Sequence, residues 1–189
     1  MKIILASKSP RRKELLDLLK LEYEIKVSNA EEVIEENLTI EEQAKKLAYI
    51  KAKTVFDETE GERAIIGADT MVIKDGKIYG KPKDEADALK ILKELNGQKH
   101  KVITGIAILI QKENEYQEYI DYDITEVTLK NMSEEEMKNW IKTGQAMDKA
   151  GAYAIQGEFS VFIEKINGNY TTVVGLPIHK VYEIIKGLN

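Results

Sequence analysis

The chain has 189 residues, no cysteine and a formal net charge of −5. This length fits one domain or two closely joined lobes, and the lack of cysteine excludes disulfides, zinc–thiolate sites and cysteine nucleophiles. The acidic balance argues against a general nucleic-acid binder, so a bound anion would need a local cluster of positive charge.

The beginning of the chain is predicted to form a strand, a helix and a second strand. Residues 1–6 are aliphatic, and residues 23–27 alternate between apolar and polar side chains. Between them, Ser9 and Pro10 place a hydroxyl at a helix N-cap and a proline at the first helical position.

A longer helix and a hairpin are predicted next. Thr39 and Glu42 form a capping-box pattern that opens a helix running to about Phe56. Residues 63–68 are predicted to form a strand that ends at Asp69, and the pair at 75–76 favours a hairpin turn.

The remainder mixes paired strands with shorter helices. Further strands are predicted at 100–111, 116–129, 152–156 and 161–166, and helices at 85–95, from 133 and from 178. Helices and strands alternate early while paired strands dominate the middle. This pattern favours a single α/β domain over residues 1–189 with a mixed sheet.

The N-terminal segment does not look like a targeting signal. Its apolar run precedes the basic residues, which is the reverse of a secretory signal, and no segment is long enough to span a membrane. We therefore expect a cytoplasmic protein that has no membrane partner.

The segment LASKSPRR at residues 5–12 predicts a phosphate site. A strand ends near Ser7, and Arg11 and Arg12 follow in the first turn of a helix, whose amides and dipole favour an anion. The arginines oppose that dipole unless an anion binds, and their guanidinium groups match phosphate oxygens. The alternative, that both arginines are solvated surface residues, is the weaker interpretation.

Lys51 interrupts the apolar stripe of the second helix. The stripe contains Ala44, Leu47, Ala48 and Val55, and Lys51 falls inside it, four residues after Leu47. Its ammonium either extends past the edge of the apolar stripe into solvent or points into a cleft. The spacing alone leaves both alternatives open.

Asp69 ends an apolar run at Gly-Ala-Asp-Thr. A carboxylate there suits a metal ion or the orientation of a water molecule, although a turn-forming aspartate is the alternative. A phosphate-binding segment favours the first interpretation, because magnesium bridges carboxylate and phosphate oxygens.

Several weaker candidates have ordinary structural explanations when their chemistry is considered alone. Lys81 follows the hairpin, the glutamates at 31–32 lie in an acidic loop, and Gln156 carries an amide suited to a nucleobase edge. His100 and His179 stand too far apart to suggest a metal site and are interpreted as structural or surface residues.

The chain resembles the Maf nucleotide pyrophosphatases. The matching segments cover almost its whole length: LASKSPRR at 5–12, LAYIKA at 47–52, GADT at 67–70, GKP at 80–82, NGQKHKVITG at 96–105, DKAGAYAIQG at 148–157 and VVGLP at 173–177. Several ordered motifs at the right spacing are far more specific than one phosphate loop.

The resemblance implies a fold and an activity. It implies a mixed, elongated β-sheet flanked by helices, with two lobes and a central cleft, related to the inosine triphosphate pyrophosphatases. The implied reaction splits a nucleoside triphosphate between the α and β phosphates with a divalent metal, Mg²⁺ or alternatively Mn²⁺. A homodimer, and a link with septum formation, are implied as well.

The resemblance also implies roles for single residues. Asp69 matches the catalytic aspartate, a proton acceptor or metal ligand, and the positions that hold the triphosphate match Ser7, Arg12, Lys51 and Lys81; we count both lysines among the catalytic groups. Glu32 matches a loop glutamate and second metal ligand. The local sequence departs from the usual Asp-Glu pair, which leaves the choice between Glu31 and Glu32 open.

The family divides by substrate at three positions. Arg11, Thr70 and Gln156 resemble the branch acting on dTTP and UTP, whereas the branch acting on 7-methyl-GTP carries other residues there, including tryptophan in place of Arg11. Thr172 departs from the asparagine that many members carry. We therefore expect a dTTP/UTP pyrophosphatase, with 7-methyl-GTP hydrolysis or non-catalytic nucleotide binding in cell division as alternatives.

Overall fold

The computed structural model describes residues 1–35 and 37–187, and over these residues the chain forms one mixed sheet flanked by helices. The seven strands are β1 (Lys2–Leu5), β2 (Glu24–Ile25), β3 (Arg63–Lys74), β4 (Lys77–Tyr79), β5 (Lys99–Lys112), β6 (Glu115–Leu129) and β7 (Ile163–Asn167). The α-helices are α1 (Pro10–Asp17), α2 (Ile40–Asp57), α3 (Glu85–Leu95), α4 (Glu134–Lys142), α5 (Tyr170–Val174) and α6 (Ile178–Lys186).

The sheet is mixed because some neighbouring strands are parallel and others are antiparallel. The strand order is β2-β1-β3-β5-β6-β7, and β4 pairs with β3 outside this path. Strand β1 is parallel to both β2 and β3, whereas β3 and β4, and β6 and β7, are antiparallel. The predicted mixed α/β fold is confirmed.

The chain divides into two compact units, each with its own apolar core. The first unit comprises residues 1–69, 104–123 and those from Gly175 onward, and the second comprises residues 70–103 and 124–174. Core residues of the first unit include Ile4, Ala48, Val55, Ile65 and Leu109. Core residues of the second include Leu92, Val127, Met137, Trp140 and Phe159.

Local chemistry places the helix starts as predicted. The Thr39–Glu42 and Ser133–Glu136 pairs each form a complete capping box at the start of α2 and α4. Helix α1 begins at Pro10 with Ser9 at the N-cap. The Ser9 side chain makes no capping hydrogen bond, and its backbone N–H instead donates to Ser7 Oγ at 3.2 Å.

Strand β3 does not end at Asp69, so that predicted boundary is wrong. The strand continues to Lys74, and Met71 and Val72 are buried beyond the aspartate. The hairpin turn lies where it was predicted, since Asp75 and Gly76 adopt positive φ angles of 51° and 76°. Asp69 is therefore held within a continuous strand.

Residues 152–156 are not a strand, contrary to the prediction. Gly151 and Ala152 have positive φ angles of 72° and 59°, which break an extended chain. The carbonyl of Ala152 accepts a hydrogen bond from Trp140 Nε1 at 2.8 Å, so a side chain replaces the strand partner.

Two glycines allow α2 to lie directly against the sheet within the first unit. A Cβ atom on Gly67 of β3 would lie 2.4 Å from the carbonyl oxygen of Ala48. A Cβ atom on Gly105 of β5 would lie 2.0 Å from the carbonyl oxygen of Ala44. These distances are too short for any side chain, so both positions require glycine.

Among the described residues, no helix has the length and apolar character needed to span a membrane.

Candidate active site

The ammonium of Lys51 lies between two carboxylates in the first unit. Its Nζ atom is 2.5 Å from Asp69 Oδ1 and 2.9 Å from Glu32 Oε1. The side chains of Lys51 and Asp69 are only 13% and 9% exposed, whereas that of Glu32 is 55% exposed. Of the two orientations left open by the sequence, Lys51 therefore adopts the inward one, and Glu32 is the loop glutamate that reaches it.

The close packing of α2 brings Lys51 to Asp69. Side chains two residues apart in a strand share a face, so Gly67 and Asp69 both face the helix. Without a side chain at Gly67, the backbone of α2 approaches β3 around Ala48 and Ala52. Lys51 lies on the same stretch of the helix, and its side chain spans the short distance to Asp69.

Hydrogen bonds to Gly175 and Ser7 orient Arg12 within the same unit. Its Nε donates to the carbonyl oxygen of Gly175 at 2.7 Å, and its Nη1 donates to Ser7 Oγ at 3.2 Å. Burial lowers the pKa of Arg12, and the charge of Arg11 lowers it further, while the charges of Asp69 and Glu32 raise it. Because an arginine pKa starts far above neutrality, the guanidinium stays charged.

The two carboxylates fit a divalent cation. Oxygens of Asp69 and Glu32 converge on one cationic atom, the Nζ of Lys51. Among the described residues, no group of three or more histidine, cysteine, aspartate or glutamate side chains could hold a metal ion. This donor set suits Mg²⁺, which usually takes one or two carboxylates and completes its shell with water and substrate phosphates.

The first unit therefore combines groups for both partners of a metal–phosphate complex. The carboxylates of Asp69 and Glu32 suit the cation, and Arg12, Lys51 and the hydroxyl of Ser7 suit phosphate oxygens. Arg11 lies half-buried next to Arg12 in the first turn of α1.

Three other predicted residues, Thr70, Lys81 and Gln156, belong to the second unit. Thr70 and Gln156 are half-buried and Lys81 is exposed. Their segments meet within that unit, since the N–H of Gly151 donates to the carbonyl oxygen of Gly80 at 3.0 Å. A Cβ atom on Gly151 would lie 3.0 Å from Val72, two residues beyond Thr70.

His100 is a buried structural residue of the second unit. It is 3% exposed, and its Nε2 lies 2.7 Å from the hydroxyl oxygen of Tyr153. Burial lowers the pKa of His100 to about 4, and the charge of Lys74 acts in the same direction. The imidazole is therefore neutral at pH 7.

The sequence prediction missed two residues of the first unit that support the site. Gly175 supplies the carbonyl oxygen that binds Arg12. Gln43 is buried on α2, and its side-chain amide binds the loop that carries Glu32. Gln43 lies four residues before Leu47, so the spacing that drew attention to Lys51 also marks this position.

Comparison with known proteins identifies relatives along the whole chain. Residues 2–188 match the family model described as Maf-like protein. The chain is 47% identical to the dTTP/UTP pyrophosphatase of Alkaliphilus metalliredigens, over 97% of this chain and 94% of that protein. It is 42% identical to the dTTP/UTP pyrophosphatase of Aquifex aeolicus, over 100% of this chain and 96% of that protein.

Among solved structures, the chain is similar in fold to the Ham1 protein of Staphylococcus aureus. The TM-score is 0.52 at 13% sequence identity, and the match covers 100% of both chains. At this identity the likeness concerns the fold alone.

Proposed function

Because the chain belongs to the family of Maf-like proteins, we propose that it hydrolyses nucleoside triphosphates, chiefly dTTP and UTP, to the monophosphate and pyrophosphate. The names of the relatives at 42% and 47% identity support these substrates. The observation that carries the proposal is the position of Lys51 Nζ between Asp69 and Glu32, which pairs two metal-type ligands with a phosphate-binding cation.

In this proposal the carboxylates of the first unit bind the metal ion, and its hydroxyl and cationic groups bind the phosphates. Asp69 and Glu32 would hold a divalent cation, Mg²⁺ or alternatively Mn²⁺, which neutralises the charge on the phosphates when bound. Ser7 and Arg12 bind phosphate oxygens, and the carbonyl of Gly175 fixes the direction of the guanidinium. Lys51 exchanges its carboxylate contacts for a phosphate oxygen when the substrate binds.

The hydrolysis proceeds by direct attack of water, without a covalent intermediate between substrate and protein. The oxygen of a water molecule bonds to the α-phosphorus, and the bond to the α–β bridging oxygen breaks. Asp69 orients this water and accepts its proton, and Lys51, Arg12 and Lys81 stabilise the charge that builds up on pyrophosphate. The enzyme thus acts through positioning and charge neutralisation.

Base selection falls to three residues in this proposal. Arg11, Thr70 and Gln156 choose pyrimidine nucleotides. The amide of Gln156 can donate and accept in one plane, which complements the neighbouring N–H and carbonyl groups of uracil and thymine.

The test is a product assay on the purified protein with Mg²⁺ and each nucleoside triphosphate in turn, resolving pyrophosphate from phosphate. We expect monophosphate and pyrophosphate, with dTTP and UTP turned over fastest. Preferred turnover of 7-methyl-GTP would contradict the assignment of the base. Nucleotide binding without any turnover would contradict the activity and favour a regulator.

We also propose that the protein works as a homodimer in the cytoplasm, without a nucleic-acid or membrane partner. The family resemblance supports the dimer, and the net charge of −5 counts against nucleic acid. Size-exclusion chromatography with light scattering measures the mass, and a monomer at micromolar concentration would contradict the proposal.

A further inference from the structure

We propose that Gln43 is a positioning residue, whose buried amide holds the loop at 31–35 so that the carboxylate of Glu32 faces Lys51 and Asp69. The inference rests on the proposed function, because that function makes Glu32 a ligand of the divalent cation. Gln43 itself belongs to α2 and acts only through the loop.

The amide of Gln43 makes two hydrogen bonds to the backbone of this loop. Its Nε2 donates to the carbonyl oxygen of Val33 at 2.8 Å, and its Oε1 accepts from the N–H of Glu35 at 2.9 Å. Gln43 is 1% exposed, so its amide depends on these two protein partners rather than on water. A planar group that both donates and accepts fixes the distance and the orientation of the backbone.

Apolar packing contributes little to holding this loop. Val33 and Ile34 are each 50% exposed, and residues 31–35 form no helix or strand. The ion pair between Lys46 and Glu35 also joins α2 to the same loop. Polar contacts from α2 thus take the place of buried side chains.

Glu32 depends on this attachment because it immediately precedes Val33. Its own ion pair with Lys51 involves a carboxylate that is 55% exposed, and exposed pairs contribute about 0–1 kcal/mol. Without Gln43, the Val33 carbonyl and the Glu35 N–H lose their buried partner, and the loop must move toward water to replace it. Glu32 would then leave its place opposite Asp69.

The test compares Mn²⁺ binding by the nucleotide-free protein in several variants, measured by electron paramagnetic resonance. Gln43→Met keeps the length of the side chain and removes both hydrogen bonds. We expect its Mn²⁺ affinity to fall about tenfold, the size of effect typical for residues that orient a metal ligand. Glu32→Gln should weaken binding at least as much.

Ser133→Ala is the matched control, since it removes the capping box of α4 in the second unit and leaves the loop intact. It should lower the melting temperature yet leave Mn²⁺ affinity unchanged. Should Gln43→Met fail to fold, Gln43→Asn replaces it, because its shorter amide cannot reach both partners.

Two further readouts separate positioning from general stability. Hydrogen exchange at residues 33–35 should quicken in the Gln43 variant and not in Ser133→Ala. In the turnover assay, half-saturating Mg²⁺ should rise about tenfold while kcat at saturating Mg²⁺ stays within about threefold.

Unchanged Mn²⁺ affinity in the Gln43 variant would overturn the inference, as would unchanged affinity in Glu32→Gln. If the wild type has no turnover, the proposed function fails, and the Mn²⁺ titration with the exchange data still decides the role of Gln43.

Discussion

At the scale of single residues, the candidate site is a set of charges that compensate one another. The side chain of Asp69 is only 9% exposed, and a carboxylate so withdrawn from water needs a partner. Lys51 supplies that partner and in turn contacts Glu32, while Arg12 is held by an uncharged carbonyl and a hydroxyl. The charges of Asp69 and Glu32 also act on Arg12 and raise its pKa, so the guanidinium belongs to the same set of charges.

Replacing Asp69 by asparagine should remove activity without unfolding the protein. The amide keeps the shape of the side chain but neither binds a metal ion strongly nor accepts a proton. We expect kcat with dTTP to fall about 100-fold or more. Circular dichroism should show an intact fold, and a folded variant with full turnover would refute this role for Asp69.

His100 should make stability depend on pH in the acidic range. Its pKa is lowered to about 4 in the folded protein, against 6.5 when unperturbed, so the unfolded chain takes up the proton first. The contribution is fully present above pH 6.5 and is lost as the pH falls toward 4, with an upper limit of about 3 kcal/mol.

Urea unfolding at a series of pH values measures this effect. The decline between pH 6.5 and pH 4 should be shallower in His100→Gln than in the wild type. Parallel declines would show that other groups cause the acid sensitivity.

The sequence predicts charged site residues better than neutral ones. Lys51 attracts attention because a charge interrupts an apolar stripe, and the structure places it at Asp69. Gln43 occupies the same stripe, yet an uncharged amide there looks unexceptional until its bonds to Val33 and Glu35 are seen. The carbonyl of Gly175 gives no signal either, since every residue carries a carbonyl.

At the scale of elements, the contact of α2 with β3 and β5 determines where Lys51 lies. Glycines at 67 and 105 remove the side chains that would hold the helix away from the sheet. The sequence predicts both elements, because the capping box and the apolar run are local signals. It does not predict the contact, which depends on residues far apart in the chain.

Gly67→Ala should therefore displace the helix. The new Cβ atom would lie 2.4 Å from the Ala48 carbonyl oxygen and 2.7 Å from the Ala52 nitrogen, both of which are backbone atoms of α2. We expect a loss of about 1–3 kcal/mol in the free energy of unfolding, as for overpacked cores. Turnover should fall too, because α2 carries Lys51.

Urea denaturation and the pyrophosphate assay check both effects. Gly187→Ala is the matched control, since its nearest neighbouring atom would be 3.4 Å from the new Cβ. Equal stability of the two variants would contradict the packing argument.

The sequence misplaces two elements for different physical reasons. The strand predicted at 152–156 fails because Gly151 and Ala152 turn the chain with positive φ angles, and alanine gives no warning of such a conformation. Strand β3 runs past Asp69 because the apolar pattern resumes at Met71.

At the scale of the whole molecule, the protein has two units with separate apolar cores, and the chain passes between them four times. The predicted site residues divide between the units, with Ser7, Arg12, Glu32, Lys51 and Asp69 in the first. A ligand that binds only the folded protein stabilises it in proportion to the logarithm of its concentration.

A non-hydrolysable dTTP analogue with Mg²⁺ should accordingly raise the melting temperature. At a concentration of 100 times Kd the stabilisation is about 2.7 kcal/mol, or roughly 5–10 °C for a chain of this size. Differential scanning fluorimetry measures the shift, with Mg²⁺ alone and the analogue with chelator as controls. Equal shifts with and without Mg²⁺ would contradict a metal-dependent site.

The division of the chain also determines when the site is completed during synthesis. All segments of the second unit precede Gly175, so they leave the ribosome before the first unit has its remaining part. Arg12 is made early, but the carbonyl oxygen that its Nε binds belongs to Gly175, which is added 163 residues later. At about 5–20 residues per second this delay lasts roughly ten to thirty seconds. During that interval the nascent chain carries Arg12 without its Gly175 partner, so the guanidinium reaches its final orientation only after residue 175 has been made.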